Sequence, residues 1–158
     1  CTDKLPSFKP RYCMGVGYPV DLIVCVALGV DQFDCVYPCR TARFGTALVS
    51  NEPEGVLKLK TRGLEFNFES LDSYVDGMIN QYTRSYVHHL SGKEPIGSQL
   101  ITYHNIAYQM QIMHDAREAI KKQCFPQYVQ KFMEQQFPDK NYPKWVVESL
   151  QSVNVFWK

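Results

Sequence analysis

What this sequence lacks narrows the field before any motif is read. No apolar run approaches the ~20 residues that a membrane-spanning helix needs. Neither sign of charge prevails, because 17 Lys and Arg stand against 16 Asp and Glu, a formal net charge of +1. The chain thus lacks the overall basic surface of a nonspecific nucleic-acid binder, and any RNA or DNA contact has to be local. Its six cysteines, Cys1, Cys13, Cys25, Cys35, Cys39 and Cys124, contain no Cys-x-x-Cys pair. A secreted disulfide scaffold is expected to be shorter, with its cysteines in turns. Here Cys25 and Cys35 lie within apolar runs, where a reduced cysteine packs as a small hydrophobe, so a reducing intracellular compartment is expected. The opening "CTDKLPSFKPRY" lacks the apolar stretch of a signal peptide. It starts with Cys rather than Met, and the chain is expected to be a piece of a longer one. There is no internal repeat and no low-complexity tract.

What is present is a globular composition, 45% hydrophobic over 158 residues, with room for one domain and a sizeable core. "RYCMGVG" (11–17) reads as a short buried strand ending in glycines. "YPVDLIVCVALGV" reads as a largely buried helix, with Pro19 at its start, Asp21 in its first turn and Gly29 as a stop signal. "DQFDCVYP" (31–38) reads as a second strand closed by Pro38. Strand, helix, strand with brief connections is the βαβ signature of a parallel sheet. "RFGTALV" and "GVLKLKTRG" alternate apolar and polar residues around "SNEPE", which predicts a β-hairpin. From Asn80 onward the texture is helical: "NQYTRSYVHHL", then "HNIAYQMQIMHDAREAIKK", with Ile106, Met110, Met113 and Ile120 close to one face. "FPQYVQKFMEQQF" and "YPKWVVESLQSV" complete the chain, with Pro126 and Pro143 near helix starts.

Asp34 is predicted at the carboxyl end of its strand, the end that faces the ligand in α/β barrels and doubly wound sheets. A carboxylate there can be a nucleophile, a base or a metal ligand, or else a cap or ion-pair partner of Arg40 or Arg43. The two arginines suit phosphate or bidentate contacts, or a solvated loop face. Cys35 to Arg40 is one residue too short for a cysteine-phosphatase loop, and Cys39 lacks a nearby second ligand. Glycines after a strand, as in "GVG" (15–17), let a flat ligand approach the backbone. His88 and His89 are adjacent, point to different helix faces and make a poor metal pair. His104 reads as a lone histidine before a helix, a capped structural residue rather than a ligand.

Together, "PRYCMGVGYPVDLIVCVALGVDQFDCVYPCRTARFG", "LD", "YTRSYVHHL" and "HNIAYQMQIM" resemble the tRNA-guanine transglycosylase (queuine tRNA-ribosyltransferase) family over most of residues 10–120. The "RTARFG" form is closest to the carboxyl-terminal part of the eukaryotic-type catalytic subunit. The resemblance implies an α/β fold: the carboxyl-terminal portion of a (β/α)8 TIM barrel with an inserted small subdomain and carboxyl-terminal helices. Residues 1–49 would be the last barrel strands with nucleophile and anticodon-recognition loop, 50–104 the hairpin and a degenerate zinc-type subdomain, and 105–158 the carboxyl-terminal helices. Asp34 matches the nucleophile that attacks C1′ of the wobble ribose. Met14, Gly15 and Gly17 match the base-pocket segment, and Cys39, Arg40, Thr41, Ala42 and Arg43 the loop recognising the wobble region. The implied partners are tRNA with a GUN anticodon, queuine or guanine, and a second like or related subunit; the implied setting is cytoplasmic, with a possible mitochondrial association.

Two departures accompany the resemblance. The family has a Cys-x-Cys-x-x-Cys segment after "LDP", completed by a histidine into a zinc site, and His104 matches that histidine. "LDSYVDGMINQYTRSYVHHL" contains no cysteine. Counted from Leu71 the ligand positions are Val75, Gly77 and Asn80; counted back from Thr83 they are Tyr74, Asp76 and Ile79. One imidazole with at most one carboxylate does not rebuild a structural zinc site, so zinc is expected to be absent or weak. The second departure is extent: only the last two barrel strands are matched, and the family's other catalytic aspartate lies upstream. The chain alone is expected to be inactive and to self-associate or depend on the missing portion. Phe125, Tyr128, Phe132, Phe137, Tyr142, Trp145, Phe156 and Trp157 of the tail are expected to supply cover for one sheet face.

Overall fold

A short parallel ladder opens the chain. In the computed structural model, which describes residues 2–155, β1 (Tyr12–Met14) and β2 (Gln32–Asp34) pair parallel, with Cys13 opposite Phe33 and Met14 opposite Asp34. The crossover is α1 (Pro19–Ala27). Pro19 suits its start because the ring fixes a helical φ and the missing N–H has no partner in a first turn. Gly29, at φ +89°, reverses the chain after it. The ladder is entered through Arg11, whose N–H donates to Asp31 Oδ2 (2.8 Å) while its carbonyl accepts from Asp31 N–H (2.9 Å). The βαβ reading holds, with Pro19 and Gly29 bracketing the helix, but β1 is not the buried strand expected: Tyr12 and Met14 are 52% and 74% exposed.

The second strand is shorter than expected. Pro38 does not close it but sits in the first turn of α2 (Tyr37–Arg43). Proline interrupts a strand ladder, yet at the beginning of a helix it removes no intrahelical bond; both uses look alike in sequence. Beyond α2, β3 (Thr46–Leu48) and β4 (Val56–Lys58) form the expected antiparallel hairpin, with Thr46 opposite Lys58 and Leu48 opposite Val56. An irregular stretch with single 3₁₀ turns at Arg62–Leu64 and Met78–Gln81 leads to α3 (Arg84–Leu90), capped by Thr83, whose hydroxyl accepts from Tyr86 N–H (3.2 Å). Then follow α4 (Pro95–Lys121), α5 (Phe125–Gln136) and α6 (Lys144–Gln151).

The chain divides into two compact units, 2–36 with 115–155 and 37–114 among the described residues. In the first, α1 packs against α5 and α6, and Leu22, Ile23, Val24, Val129, Met133, Val146 and Leu150 are buried. The aromatic tail contributes Phe132 to this interior, with Phe125, Tyr128 and Phe132 ring on ring at 6.2 Å spacings. Trp145 stays 46% exposed, and Phe156 and Trp157 lie outside the described residues. In the second unit a core of Ala42, Ala47, Val49, Leu57, Leu59, Leu71, Ile79, Val87 and Ile101 joins α2, the hairpin, α3 and α4.

Helix α4 differs from the sequence reading twice. It begins at Pro95, so His104 lies inside it rather than ahead of it. Its buried side is Ile101, His104, Asn105, Tyr108, Ile112, Ala116 and Ala119, whereas Ile106, Met110 and Ile120 are 40%, 64% and 50% exposed and Met113 is half-buried. The apolar count selected the other side because two of the innermost residues are polar. No helix among the described residues is long and apolar enough to cross a membrane, and their cysteines Cys13, Cys25, Cys35, Cys39 and Cys124 are unbridged.

Candidate active site

Asp34 ends β2, and the chain after it has left the ladder. Its carboxylate is exposed but oriented. Gly15 N–H donates to the Asp34 carbonyl at 2.8 Å and to Oδ1 at 3.3 Å. Gly15 stands at φ +80°, and a Cβ built on it would meet nothing within 4 Å. Glycine is needed there for backbone conformation and not for room. The Cys35 thiol donates to the Gly15 carbonyl at 3.3 Å, so the residue after Asp34 fastens the same glycine.

Side chains two apart on a strand share a face, which places Tyr12 and Met14 of β1 on the side of Asp34. A hydrogen bond to Asp34, then burial and the carboxylate's negative charge, raise the Tyr12 phenol above its usual pKa. Met14 is 74% exposed beside the carboxylate, a polarizable surface open to a flat ring. Gly17 is buried. Asp34, Met14 and Gly15 therefore converge at one strand end. Cys25, by contrast, has its thiol pushed up by burial and by the charges of Cys13 and Asp21, which makes it a packing residue rather than a nucleophile.

The expected recognition segment forms most of α2. Arg40 and Arg43 are exposed, Cys39 and Thr41 half-buried, and Ala42 is 1% exposed within the core. Ala42 thus anchors the helix by which the arginines are displayed. The Thr41 hydroxyl donates to the Tyr37 carbonyl at 2.7 Å. Gly45 ends the segment at φ +77°, and a Cβ there would lie 2.4 Å from Ser91 Oγ.

Two residues in this unit carry more than the sequence reading gave them. Arg84 is 5% exposed and donates to Glu52 Oε1 (2.8 Å), Asn51 Oδ1 (3.2 Å) and the carbonyls of Ser70 (3.1 Å) and Leu71 (3.3 Å). Asn105, with no exposed surface, accepts from Leu48 N–H at 2.8 Å and donates to the carbonyls of Pro38 (3.0 Å) and Thr46 (3.1 Å). Both stand inside the quoted stretches "YTRSYVHHL" and "HNIA"; their position there was the available signal.

The zinc-type segment is filled with packing groups. Val75 and Ile79 are 5% and 1% exposed, Tyr74 meets Tyr108 edge to face at 5.5 Å, and the Asn80 amide donates to the Val75 carbonyl. His104 Nε2–H donates to the Leu48 carbonyl at 2.7 Å, leaving buried Nδ1 without a partner. Burial lowers the His104 pKa, opposed by the Leu48 hydrogen bond and the Asp72 charge. Asp72, 1% exposed, accepts from the Ser50 hydroxyl at 2.8 Å, and its Oδ2 is also orphaned. No three His, Cys, Asp or Glu side chains among the described residues come together as a metal set. One imidazole and one carboxylate do not fit a tetrahedral zinc ion.

A sequence model of the queuine tRNA-ribosyltransferase family matches residues 1–138. A queuine tRNA-ribosyltransferase catalytic subunit from Schizosaccharomyces pombe is 45% identical across 98% of the chain and 40% of its own length. One of the same description from Caenorhabditis elegans is 43% identical across 84% of the chain and 33% of its own length. A queuine tRNA-ribosyltransferase from Fusobacterium nucleatum is 40% identical across 84% of the chain and 35% of its own length. The chain spans about two fifths or less of the curated relatives it matches. At this identity and coverage, the chain belongs to the queuine tRNA-ribosyltransferase family.

Proposed function

We propose that this chain is the carboxyl-terminal part of a tRNA-guanine transglycosylase that exchanges guanine at the wobble position of tRNA for queuine. The observation that carries the proposal is Asp34, exposed at the end of a parallel strand and held at one oxygen by the Gly15 amide. The chemistry is that of a retaining glycosidase. A carboxylate oxygen of Asp34 bonds to ribose C1′ as the C1′–N9 bond breaks, and guanine leaves with that electron pair and takes up a proton. The incoming base gives up its N9 proton, bonds through N9 to C1′ and expels Asp34 as the carboxylate, restoring the original configuration. Met14 and Gly15 form one wall for the departing base, and Arg40 and Arg43 meet the anticodon backbone. The proton-handling carboxylate and most of the base pocket would come from sequence outside this chain, within a (β/α)8 barrel and a dimer of like or related subunits. Cytoplasmic tRNA is the proposed substrate pool.

A second reading, a non-catalytic module that binds tRNA or a partner subunit, is favoured by one observation: Val75 in one count, or Ile79 in the other, packs where a zinc cysteine would stand. A chimera separates the two. The matching portion of the fission-yeast relative is replaced by this chain, and incorporation of labelled guanine into tRNA is measured. Exchange that is lost in Asp34→Ala and nearly lost in Asp34→Asn is the expected result. Equal exchange with and without Asp34 overturns the catalytic reading, and a folded, tRNA-binding chimera without exchange favours the second.

A further inference from the structure

We infer that Asn105 is a positioning residue for tRNA recognition, setting the pose of α2 and of the two arginines that it displays. The inference rests on the proposed role of Arg40 and Arg43 and deepens it. Among the described residues, strand β3 pairs only with β4. Val49 N–H and the Gly45 carbonyl bond toward β4, so the backbone groups of Thr46 and Leu48 point to the opposite edge. An unpaired edge of this kind needs partners when it is buried. Asn105 supplies them as a neighbouring strand would: its Oδ1 accepts from Leu48 N–H while its Nδ2 donates to the Thr46 carbonyl. His104 Nε2–H takes the remaining Leu48 carbonyl.

The second hydrogen of Nδ2 reaches the Pro38 carbonyl in the first turn of α2, at 3.0 Å. A seven-residue helix is marginal alone, so its direction depends on such ties. One planar amide thereby joins the start of the arginine-bearing helix to the edge of the hairpin. Only a side chain with an acceptor and two donors at this reach does so. Aspartate keeps the bond from Leu48 N–H but sets a carboxylate against two carbonyls. Serine is too short to span all three partners.

The test uses the full chain with an anticodon stem-loop RNA carrying guanine at the wobble position. Amide exchange is read at Phe44 and Gly45, whose N–H groups close α2 on Thr41 and Ala42, against Val87 in α3 and Ser91, whose N–H closes α3 on Val87. In Asn105→Asp, or in Asn105→Ser where the aspartate variant does not fold, exchange at Phe44 and Gly45 is expected to quicken about tenfold while α3 is unchanged. Stem-loop affinity is expected to fall about tenfold, with a shallower dependence on salt between about 50 and 200 mM, as for Arg40→Ala. Stability alone would leave that salt slope unmoved. Protected α2 amides, or an unchanged affinity and slope in a chain whose α2 has loosened, overturn the inference alone. No binding by the unaltered chain defeats the proposed role of the arginines, and the inference with it.

Discussion

The hairpin unit and the strand unit treat polar groups in opposite ways. Around β3 and β4, Arg84, Asn105, His104 and Asp72 are buried and bonded to backbone from distant parts of the unit. Around β1 and β2, Tyr12, Met14, Gln32 and Asp34 are exposed, and Asp34 is oriented through one glycine amide. A buried polar network fixes one geometry because every broken bond strands a desolvated group. An exposed carboxylate keeps its reactivity and leaves a face for substrate. The helix proposed for recognition belongs to the unit with the buried network, while the proposed nucleophile stands at an exposed strand end.

Removing the principal brace should have the largest effect on stability. Arg84→Ala deletes an ion pair and strands two carbonyls, and is expected to destabilise the chain by about 3 kcal/mol. Urea denaturation measures it; a loss below that of Lys144→Ala, an exposed pair expected near ~0.3 kcal/mol, would remove the contrast. Two glycines sharpen the comparison at the next level. Gly45→Ala meets both a left-handed φ and the Ser91 hydroxyl and is expected to cost about 2 kcal/mol. Gly15→Ala meets only the φ, and should cost about 1 kcal/mol while disturbing the amide that holds Asp34. Equal losses would mean that packing around Gly45 adds nothing.

Smaller still is the effect expected of metal. The segment from Leu71 to His104 is packed by Val75, Ile79 and Tyr74, so the purified chain should hold far less than one zinc per molecule, and a strong chelator should leave its thermal midpoint unchanged. Stoichiometric zinc that resists the chelator would show that donors other than these assemble the site.

Much of the fold was legible because its signals are local. Pro19 and Gly29 bracket α1, and "SNEPE" separates the hairpin strands. Asp34 was legible as a strand end, and its neighbours followed from register. Pro38 misled, since strand end and helix start both accept proline. The first part of α4, from Pro95, is not read as helix from the sequence; Gly97 sits within it because a Cβ there would lie 2.7 Å from the Leu90 carbonyl oxygen. The inner face of α4 was hidden by chemistry. His104 and Asn105 are polar in sequence and become core residues only when a distant strand edge offers its carbonyls and amide.

The most direct measurement is where the RNA becomes attached. In the chimera with the fission-yeast relative, tRNA is incubated without an incoming base, the protein is denatured, digested and analysed by mass spectrometry. The expected adduct is a ribose-linked peptide containing Asp34, absent from Asp34→Asn. An adduct on another residue, or one that persists in Asp34→Asn, would contradict the assignment of the open strand end as the seat of covalent chemistry.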